Sequence, residues 1–264
     1  MLFFRLSSIA LALVLCAIVF GSAALGVAIG RSQRHRGDHL REPVSTVQSA
    51  LLAMVGLVLA FSLAVALGRY ESRRAAVVDN ANAIQTTFLR AQTLGDPMRT
   101  RSMALLRAYV DTGLGLSRAM PGTARERAAI ARGDRIERRL WALAGTALER
   151  GPRDTVPRLY VESLNTMIDT EATRVAALNN RVPTEVLALE IFGAAVAMGL
   201  LGFFLSVIAR GPPVVVFAAA LVAALLIVTF DLDRPTRGLI KVPDAALVDA
   251  RDAMASPPAF TSSG

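Results

Sequence analysis

The sequence predicts an all-α, polytopic membrane protein with four transmembrane helices and a helical extramembrane region between the second and third spans. Composition is the first reason: 53% of the residues are hydrophobic and the mean hydropathy is +0.47, whereas soluble domains are about 45–50% apolar. The second reason is the presence of four long runs with almost no charge. The third is that no segment alternates apolar and polar residues as strands do. These three observations exclude an ordinary soluble domain.

Each of the four runs is close to the roughly 20 residues with which a helix crosses about 30 Å of hydrocarbon. The runs cover residues 6–30, 50–68, 186–209 and 214–230. The second is about as short as a span can be, and the third contains one charge, Glu190, near its start. Since an acidic group within a span usually faces a partner or a water path, we hypothesise a pair between Glu190 and Arg69 or Arg73. Snorkelling toward the membrane surface is the alternative.

The first run has two interpretations. Arg5 precedes it and small residues follow it, as in a signal peptide. Its apolar stretch exceeds 20 residues, however, whereas a signal core has about 7–15, so the length favours a retained span. The single cysteine, Cys16, lies in this run, and one cysteine excludes an intramolecular disulfide.

No metal, cofactor or nucleic-acid site is predicted. The two histidines, His35 and His39, have metal-ligand spacing on a helix, but Gly37 lies between them and no further ligand is near, so a solvated loop is favoured. The net charge is +8, and 28 of the 29 basic residues are arginine. Aromatic residues do not interleave with these arginines as they do in single-strand binders. Much of the charge flanks the spans instead, where it meets lipid headgroups.

Four spans place both termini and the long middle segment on one side of the membrane. Arginines next to the spans favour the cytoplasm for that side, although the first loop, 31–42, carries four arginines of its own. The dominance of arginine over lysine hints at a GC-rich bacterial genome. We therefore expect a multi-pass protein of the bacterial inner membrane with cytoplasmic N- and C-termini.

The middle segment is predicted to be helical throughout. Apolar residues at steps of three and four continue the second span to about residue 94, which gives one helix of about 45 residues. Further helices are expected to end near 113–115, to cover 123–150, and to begin near 155 and close at Pro183. We divide the chain at these points into a first helix pair (1–68), a helical cytoplasmic region (69–183), a second helix pair (184–231), and a C-terminal segment with a disordered tail (232–264).

No catalytic constellation is visible, and the protein is not expected to be an enzyme. There is no GxSxG and no phosphate loop. Asp231 and Asp233 could pair as an acid and a base, but they lie at a membrane exit without a histidine or a metal set. A helix stop whose charges face water or an arginine is the favoured interpretation.

One segment is specific enough to indicate a family. The sequence LVLAFSLAVALGRYESRRAAVVDNANAI contains an alanine–phenylalanine pair ending at Phe61 and, eight residues later, Arg69 followed by Tyr70, Glu71 and Arg73. With LNTMIDTEATRVAALNNRVP and FDLDRPTRGLIKVP, it resembles the bestrophin-like membrane proteins and, more distantly, the bestrophin channels. The last of these stretches supplies a post-span motif: Asp231, Asp233, Arg234, Pro235 and Gly238.

The resemblance implies four spans, cytoplasmic helices and a homo-oligomer, a pentamer in expectation, with the second span lining a central pore for inorganic ions. The bestrophin neck would fall on Ala53, Leu57 and Phe61. Their i, i+4, i+8 spacing places them on one helix face, although ordinary packing produces the same spacing. Ala53 is small where the family's neck is bulky. The acidic run of a calcium clasp is incomplete, so calcium gating is not expected.

A charge cluster follows the neck: Arg69, Tyr70, Glu71, Arg73 and Arg74. These residues could anchor the helix at headgroups, pair with acidic groups, or draw anions to the pore exit. Simple snorkelling is the plainest alternative for any one of them. The function expected is an oligomeric channel. The alternative is a non-conducting scaffold or sensor, for which the sequence shows neither a ligand pocket nor an output domain.

Overall fold

The structure is a computed structural model of the chain, and it describes residues 7–32, 41–120, 122–150, 155–180, 182–207, 212–234 and 238–256. The described residues form eight helices. These are α1 (Ser8–Ser32), α2 (Arg41–Gln92), α3 (Met98–Ser117), α4 (Ala124–Arg150), α5 (Thr155–Asn179), α6 (Thr184–Val207), α7 (Pro212–Leu232) and α8 (Ala245–Ala255). Every regular element in these ranges is a helix, which confirms the all-α fold class.

Within the described residues, four helices are long and apolar enough to cross a membrane, as the sequence predicted. They are α1, the stretch of α2 that begins at Gln48, the candidate span that ends with α6 at Val207, and α7. The histidine pair in the first loop, the turn between the third and fourth spans at 208–211, Pro235 and the tail from residue 257 lie outside the described residues.

The uninterrupted second helix was predicted and is present: α2 contains 52 residues and continues through Tyr70 and Glu71. Two features differ from expectation, the end of one helix and the presence of another. Gly113 and Gly115 do not end α3, because Leu114 and Leu116 are buried and hold the helix to Ser117. The short helix α8 was not predicted. Its Leu247, Ala250 and Met254 are buried, and packing rather than length stabilises so short a helix.

The chain divides into two compact units. The membrane unit comprises residues 1–70 and 181–241, and the helical unit comprises 71–180 and 242–264. The helical unit has a continuous apolar core that includes Ile84, Leu106, Leu140 and Leu164, each almost fully buried. The division of the chain into four segments given above stays a prediction.

In the membrane unit, α1 packs on α6 at backbone distance. A Cβ added to Gly26 would lie 1.9 Å from the carbonyl oxygen of Gly199, and one added to Gly202 would lie 2.3 Å from that of Ala23. Small residues are what allow membrane helices to approach this closely, since lipid offers no hydrophobic driving force for their association. The Ser206 hydroxyl adds a hydrogen bond of 3.0 Å to the carbonyl oxygen of Val27. This packing holds α1 against α6 within the membrane unit.

The close approach of α1 and α6 predicts a position-specific cost. Gly26→Val would force its side chain against the α6 backbone and lower the free energy of unfolding of the membrane unit by about 2 kcal/mol or more. Gly21→Val is the matched control, because a Cβ at Gly21 meets no atom within 4 Å. Thermal unfolding in detergent measures both variants, and equal losses would contradict the packing described.

Candidate functional site

The three predicted neck residues lie on the side of α2 that faces away from the packed interior of the membrane unit. Leu57 is 58% exposed and Phe61 is 65% exposed, and Ala53 is exposed as well. On the packed side of the same helix, Val55 and Leu59 are buried. We call Ala53, Leu57 and Phe61 the outer face of α2. Its position is compatible with a pore lining, and that role stays a prediction.

The outer face belongs to the least covered of the four candidate spans. Only 17% of the most apolar stretch of α2 is buried, against 39% in the third and fourth spans. A polypeptide in a bilayer covers such a surface with lipid or with another chain. The outer face is therefore the first candidate surface for self-association.

Past the outer face, Arg69 meets the ends of two other helices. Its guanidinium lies 3.9 Å from the carboxylate of Asp233, which is 1% exposed and follows the end of α7. The same carboxylate accepts the backbone N–H of Val182, two residues before α6, at 3.1 Å. Arg69, Val182 and Asp233, which we call the exit junction, thus connect α2, α6 and α7 within the membrane unit.

Arg73 has a structural role in the helical unit. Its side chain is 2% exposed and donates hydrogen bonds to the carbonyl oxygens of Ala177, at 3.3 Å, and of Asn180, at 2.8 Å. Those carbonyls lie at the carboxyl end of α5, where the helix leaves acceptors unpaired and its dipole favours a cation. Arg73 therefore caps α5.

The rest of the predicted charge cluster lies at the surface. Glu71 and Arg74 are 3.8 Å apart and more than half exposed, and Tyr70 is half-buried. A surface pair one turn apart on a helix contributes little to stability. The cluster that was contiguous in sequence is thus divided into half-buried Arg69, buried Arg73 and an exposed ion pair.

Glu190 is 2% exposed, and neither oxygen of its carboxyl group has a hydrogen bond among the described residues. Its interacting polar neighbours in the membrane unit are Ser62 of α2 and Asp233. Arg69 has another acidic neighbour, so the structure shows no ion pair between it and Glu190, and the hypothesised pair with Arg73, a residue of the helical unit, stays a prediction. Asp233 occupies Arg69, and Arg73 is used by the α5 carbonyls. A buried acidic group in a span is a candidate functional residue.

Among the described residues of the post-span motif, Asp231 binds the backbone that follows Gly238. The two carboxylate oxygens of Asp231 accept the backbone N–H groups of Leu239, at 2.9 Å, and of Ile240, at 2.8 Å. A Cβ at Gly238 would lie 2.7 Å from the carbonyl oxygen of Asp231, so the turn requires glycine there. Arg234 is buried at the same place. Asp231 thus binds two backbone N–H groups, and Asp233 binds one backbone N–H group and lies beside an arginine.

This use of the two aspartates provides no acid–base pair. Across the described ranges, no three His, Cys, Asp or Glu side chains converge where they could hold a metal ion. The free thiol of Cys16 lies in α1, away from any such group in those ranges.

Comparison of the sequence with protein-family models identifies the family of the chain. A family model described as a bestrophin-like domain matches residues 13–247, which is most of the chain and includes α1.

The chain belongs to the bestrophin-like family.

Solved structures with the same fold cover nearly the whole bestrophin-like chain. A crystal structure of a point variant of a bacterial bestrophin homologue from Klebsiella pneumoniae covers 91% of this chain and 96% of its own, with a TM-score of 0.70 and 15% identity. A structure of another variant of that homologue covers 90% of this chain and 97% of its own, with a TM-score of 0.67 and 16% identity. A structure described as a membrane protein covers 90% of this chain and 97% of its own, with a TM-score of 0.69 and 17% identity. A comparison with characterised protein sequences finds no match. At these identities the likeness shows the fold.

Two residues of this bestrophin-like membrane unit were not expected from the sequence. Val182 contributes a backbone N–H, which no side-chain pattern reveals. Ser62 did carry a signal, because it continues the buried stripe of Val55, Leu59 and Ala66 at steps of three and four. A polar residue on the packed side of a span predicts a polar neighbour across the helix interface, and Glu190 is that neighbour.

The turn after α7 predicts a large loss from one substitution. Asp231→Ala would leave two backbone N–H groups without their charged acceptor and lower the free energy of unfolding by about 2–4 kcal/mol. Glu71→Ala is the control: it removes an equally acidic side chain from an exposed pair and should change stability by less than about 0.5 kcal/mol. Denaturation in mixed micelles measures both. Similar losses in the two variants would show that Asp231 does not hold the turn.

Proposed function

We propose that the protein is an ion channel formed by a homo-oligomeric ring, a pentamer, in which α2 of each subunit turns its outer face toward a shared pore. The observation that carries this proposal is the exposure of Leu57 and Phe61 on the least covered span of a bestrophin-like fold. In a ring closed around an axis, the outer face of each subunit would meet the outer faces of the other subunits. Lipid would cover the remaining exposed surface of the spans, and no enzymatic or nucleic-acid-binding role is proposed.

The chemistry of the outer face favours a gate rather than a binding filter. Rings of Leu57 and Phe61 would offer neither carbonyls nor charges to a passing ion. Apolar constrictions regulate conduction by dewetting, so a small change in radius switches the pore between wet and dry. Ala53 is small, so we infer that the pore is wider at its ring than at the ring of Phe61. Which inorganic ion passes is not encoded by these side chains.

The alternative is a non-conducting scaffold or sensor, and one observation favours the sensor. The helical unit contains an open cavity of about 380 Å³ between α3, α4 and α5, whereas the sequence had given no sign of a ligand pocket. A cavity of this size fits a small molecule. A protein could bind a ligand in this cavity and also conduct ions. Only the channel, however, requires the outer faces of several subunits to surround a common pore.

We infer that the protein lies in the bacterial inner membrane with both termini and the helical unit in the cytoplasm. The support is the distribution of arginine next to the spans and an even number of spans.

Ion flux from liposomes tests the channel. Phe61→Ala removes the widest side chain of the proposed ring, and we expect the flux of Na⁺, K⁺ or Cl⁻ to rise several-fold because a wider apolar ring wets more readily. Phe192→Ala is a matched control, since Phe192 of α6 is 67% exposed and Phe61 is 65% exposed. The control should leave flux unchanged.

The mass of the protein in the detergent-solubilised particle tests the oligomeric ring. Five chains of 28.0 kDa give about 140 kDa, and both phenylalanine variants should keep this mass. A stable monomer would contradict the ring. A ring-sized particle that passes none of the three ions would overturn the channel and favour the non-conducting alternative.

Thiol labelling tests the orientation. In a Cys16→Ser background, a cysteine introduced by Arg127→Cys on the exposed side of α4 should resist membrane-impermeant maleimide in intact cells and react after permeabilisation. A cysteine introduced by His39→Cys, in the first loop, should react in intact cells because it lies on the opposite side of the first span. The reverse labelling pattern would invert the topology.

A further inference from the structure

The cavity of the helical unit is built from small side chains. Three helices line it, and at five positions the lining residue is glycine or alanine: Gly113 of α3, Ala129 and Gly133 of α4, and Ala172 and Ala176 of α5. Its volume of about 380 Å³ lies within the range of small-molecule sites, about 300–1,000 Å³. Helices normally fill the space between them with larger side chains. The short side chains therefore leave room that the fold itself does not use.

Acidic groups supply the charge of this cavity. Asp134 and Glu137 line it from α4, and Glu171 lines it from α5. Glu171 already has a partner, because Arg174 donates to both of its carboxylate oxygens at 2.8 Å. In the part of the chain that the structure describes, Asp134 and Glu137 have no ion-pair partner. The cavity therefore presents two carboxylates without an ion-pair contact beside an apolar wall, and the positive charge of Arg138 acts on Glu137.

Glu137 is held in place rather than free at the surface. The Tyr109 hydroxyl, buried in α3, donates a hydrogen bond of 2.7 Å to one of its oxygens. Tyr109 lines the cavity too, so this bond fixes the carboxylate at the cavity wall. A buried tyrosine finds a hydrogen-bond partner in most proteins. Here the partner is an acid that faces a space large enough for a ligand.

The carboxylates do not form a metal site. Within the described residues no three His, Cys, Asp or Glu side chains lie close enough to share one ion. A divalent cation such as Ca²⁺ takes six to eight oxygen ligands, and Mg²⁺ takes six. The cavity instead combines separated negative charges with apolar area, which matches a larger cation that carries its own apolar body.

We propose that the cavity between α3, α4 and α5 binds a small organic cation, with an ammonium group at Asp134 and Glu137 and an aryl or alkyl body against the glycine and alanine residues of the wall. A charge-assisted hydrogen bond to each carboxylate would orient the amine. Burial of the apolar body would add affinity in proportion to the area removed from water. This site is independent of the pore, and its occupation requires no ion conduction.

The electrostatics of Glu137 give the binding a pH dependence. Burial raises the pKa of Glu137, the Tyr109 hydrogen bond lowers it, the neighbouring Glu171 and Asp134 raise it, and the positive charge of Arg138 lowers it. Because an ammonium ion pairs with the ionised carboxylate, affinity falls as the pH decreases through this raised pKa. A bound cation favours ionisation, so binding in that range releases protons.

Isothermal titration calorimetry on the full-length protein in detergent tests the proposal. Phenethylamine and hexylamine, both ammonium ions at neutral pH, are the probes, and 2-phenylethanol is the uncharged match of the first. We expect saturable binding of at least one amine below about 1 mM and at least about tenfold weaker binding of the alcohol. Measurements in protein-free micelles correct for partition into detergent.

Two pairs of variants locate the site. Asp134→Asn with Glu137→Gln removes both charges but keeps the hydrogen-bonding groups, and it should weaken amine binding about tenfold or more. Glu149→Gln, on the same helix and away from the cavity, should leave it unchanged. Gly133→Leu fills the cavity and should abolish binding. Gly145→Leu is its control, since a Cβ at either glycine meets no atom within 4 Å.

Several results would overturn the site. They are equal binding of the alcohol, equal effects of Gly133→Leu and Gly145→Leu, saturable heat with CaCl₂ in place of the amine, and no saturable binding of either amine. A change of oligomeric mass in Gly133→Leu without loss of amine binding would also overturn it, and would indicate that a second copy covers the cavity. Loss of ion flux bears only on the proposed channel, so failure of one proposal is distinguishable from failure of the other.

Discussion

The membrane unit depends on one buried carboxylate at the point where its helices leave the bilayer. Asp233 is almost fully buried, accepts the Val182 N–H and lies beside the Arg69 guanidinium. A charge in so buried a position is tolerated only when it has both a counter-charge and hydrogen-bond donors. Asp233 obtains them from two other helices. Its solvation therefore requires α2, α6 and α7 to meet in one arrangement, and the neighbouring Asp231 closes the turn that follows.

The two sides of α2 differ in their surroundings: one packs within the membrane unit and the other is exposed. The packed side carries Val55, Leu59, Ser62 and Arg69, which contact the rest of the membrane unit or interact with its polar groups. The outer face carries only apolar side chains and is exposed within the part of the chain that the structure describes. Because the packed side orients the helix, the outer face is presented as a rigid surface. A pore gated by dewetting requires that rigidity, since its conductance changes steeply with radius.

Buried polar groups also distinguish the helical unit. Arg73 caps α5, and Arg174 is held by Glu171 near the cavity wall. The acidic side chains that line the cavity from α4, exposed Asp134 and half-buried Glu137, are accompanied on the same helix by exposed arginines, among them Arg132, Arg135 and Arg139. A cavity with this charge lies in a bundle whose chain is strongly basic overall. Local charge, rather than net charge, therefore decides which ligand such a site attracts.

The fold class could be predicted from the sequence because it depends on local properties. Long apolar runs have no other stable solution in a bilayer than helices, and helical periodicity without a proline continues α2 past Tyr70. The family was also readable, since its motifs are contiguous in the chain. The three neck positions were predicted to share one face, which the 3.6-residue period alone requires. Helix α8 was missed because eleven residues carry too little periodicity to distinguish them from a loop.

The partners of the charged residues could be decided only by the tertiary structure. The sequence offered Arg69 and Arg73 as partners of Glu190. In the structure Asp233, 164 positions after Arg69, lies beside the first arginine, and the second donates to the α5 carbonyls. The cavity beside Glu137 could not be predicted from the sequence either. Its lining residues come from three helices, and the space between them exists because several of these residues are glycine or alanine. Sequence patterns determine what one helix does in lipid or water. Ion pairing and empty space are properties of residues that are distant in the chain, and only packing brings them together.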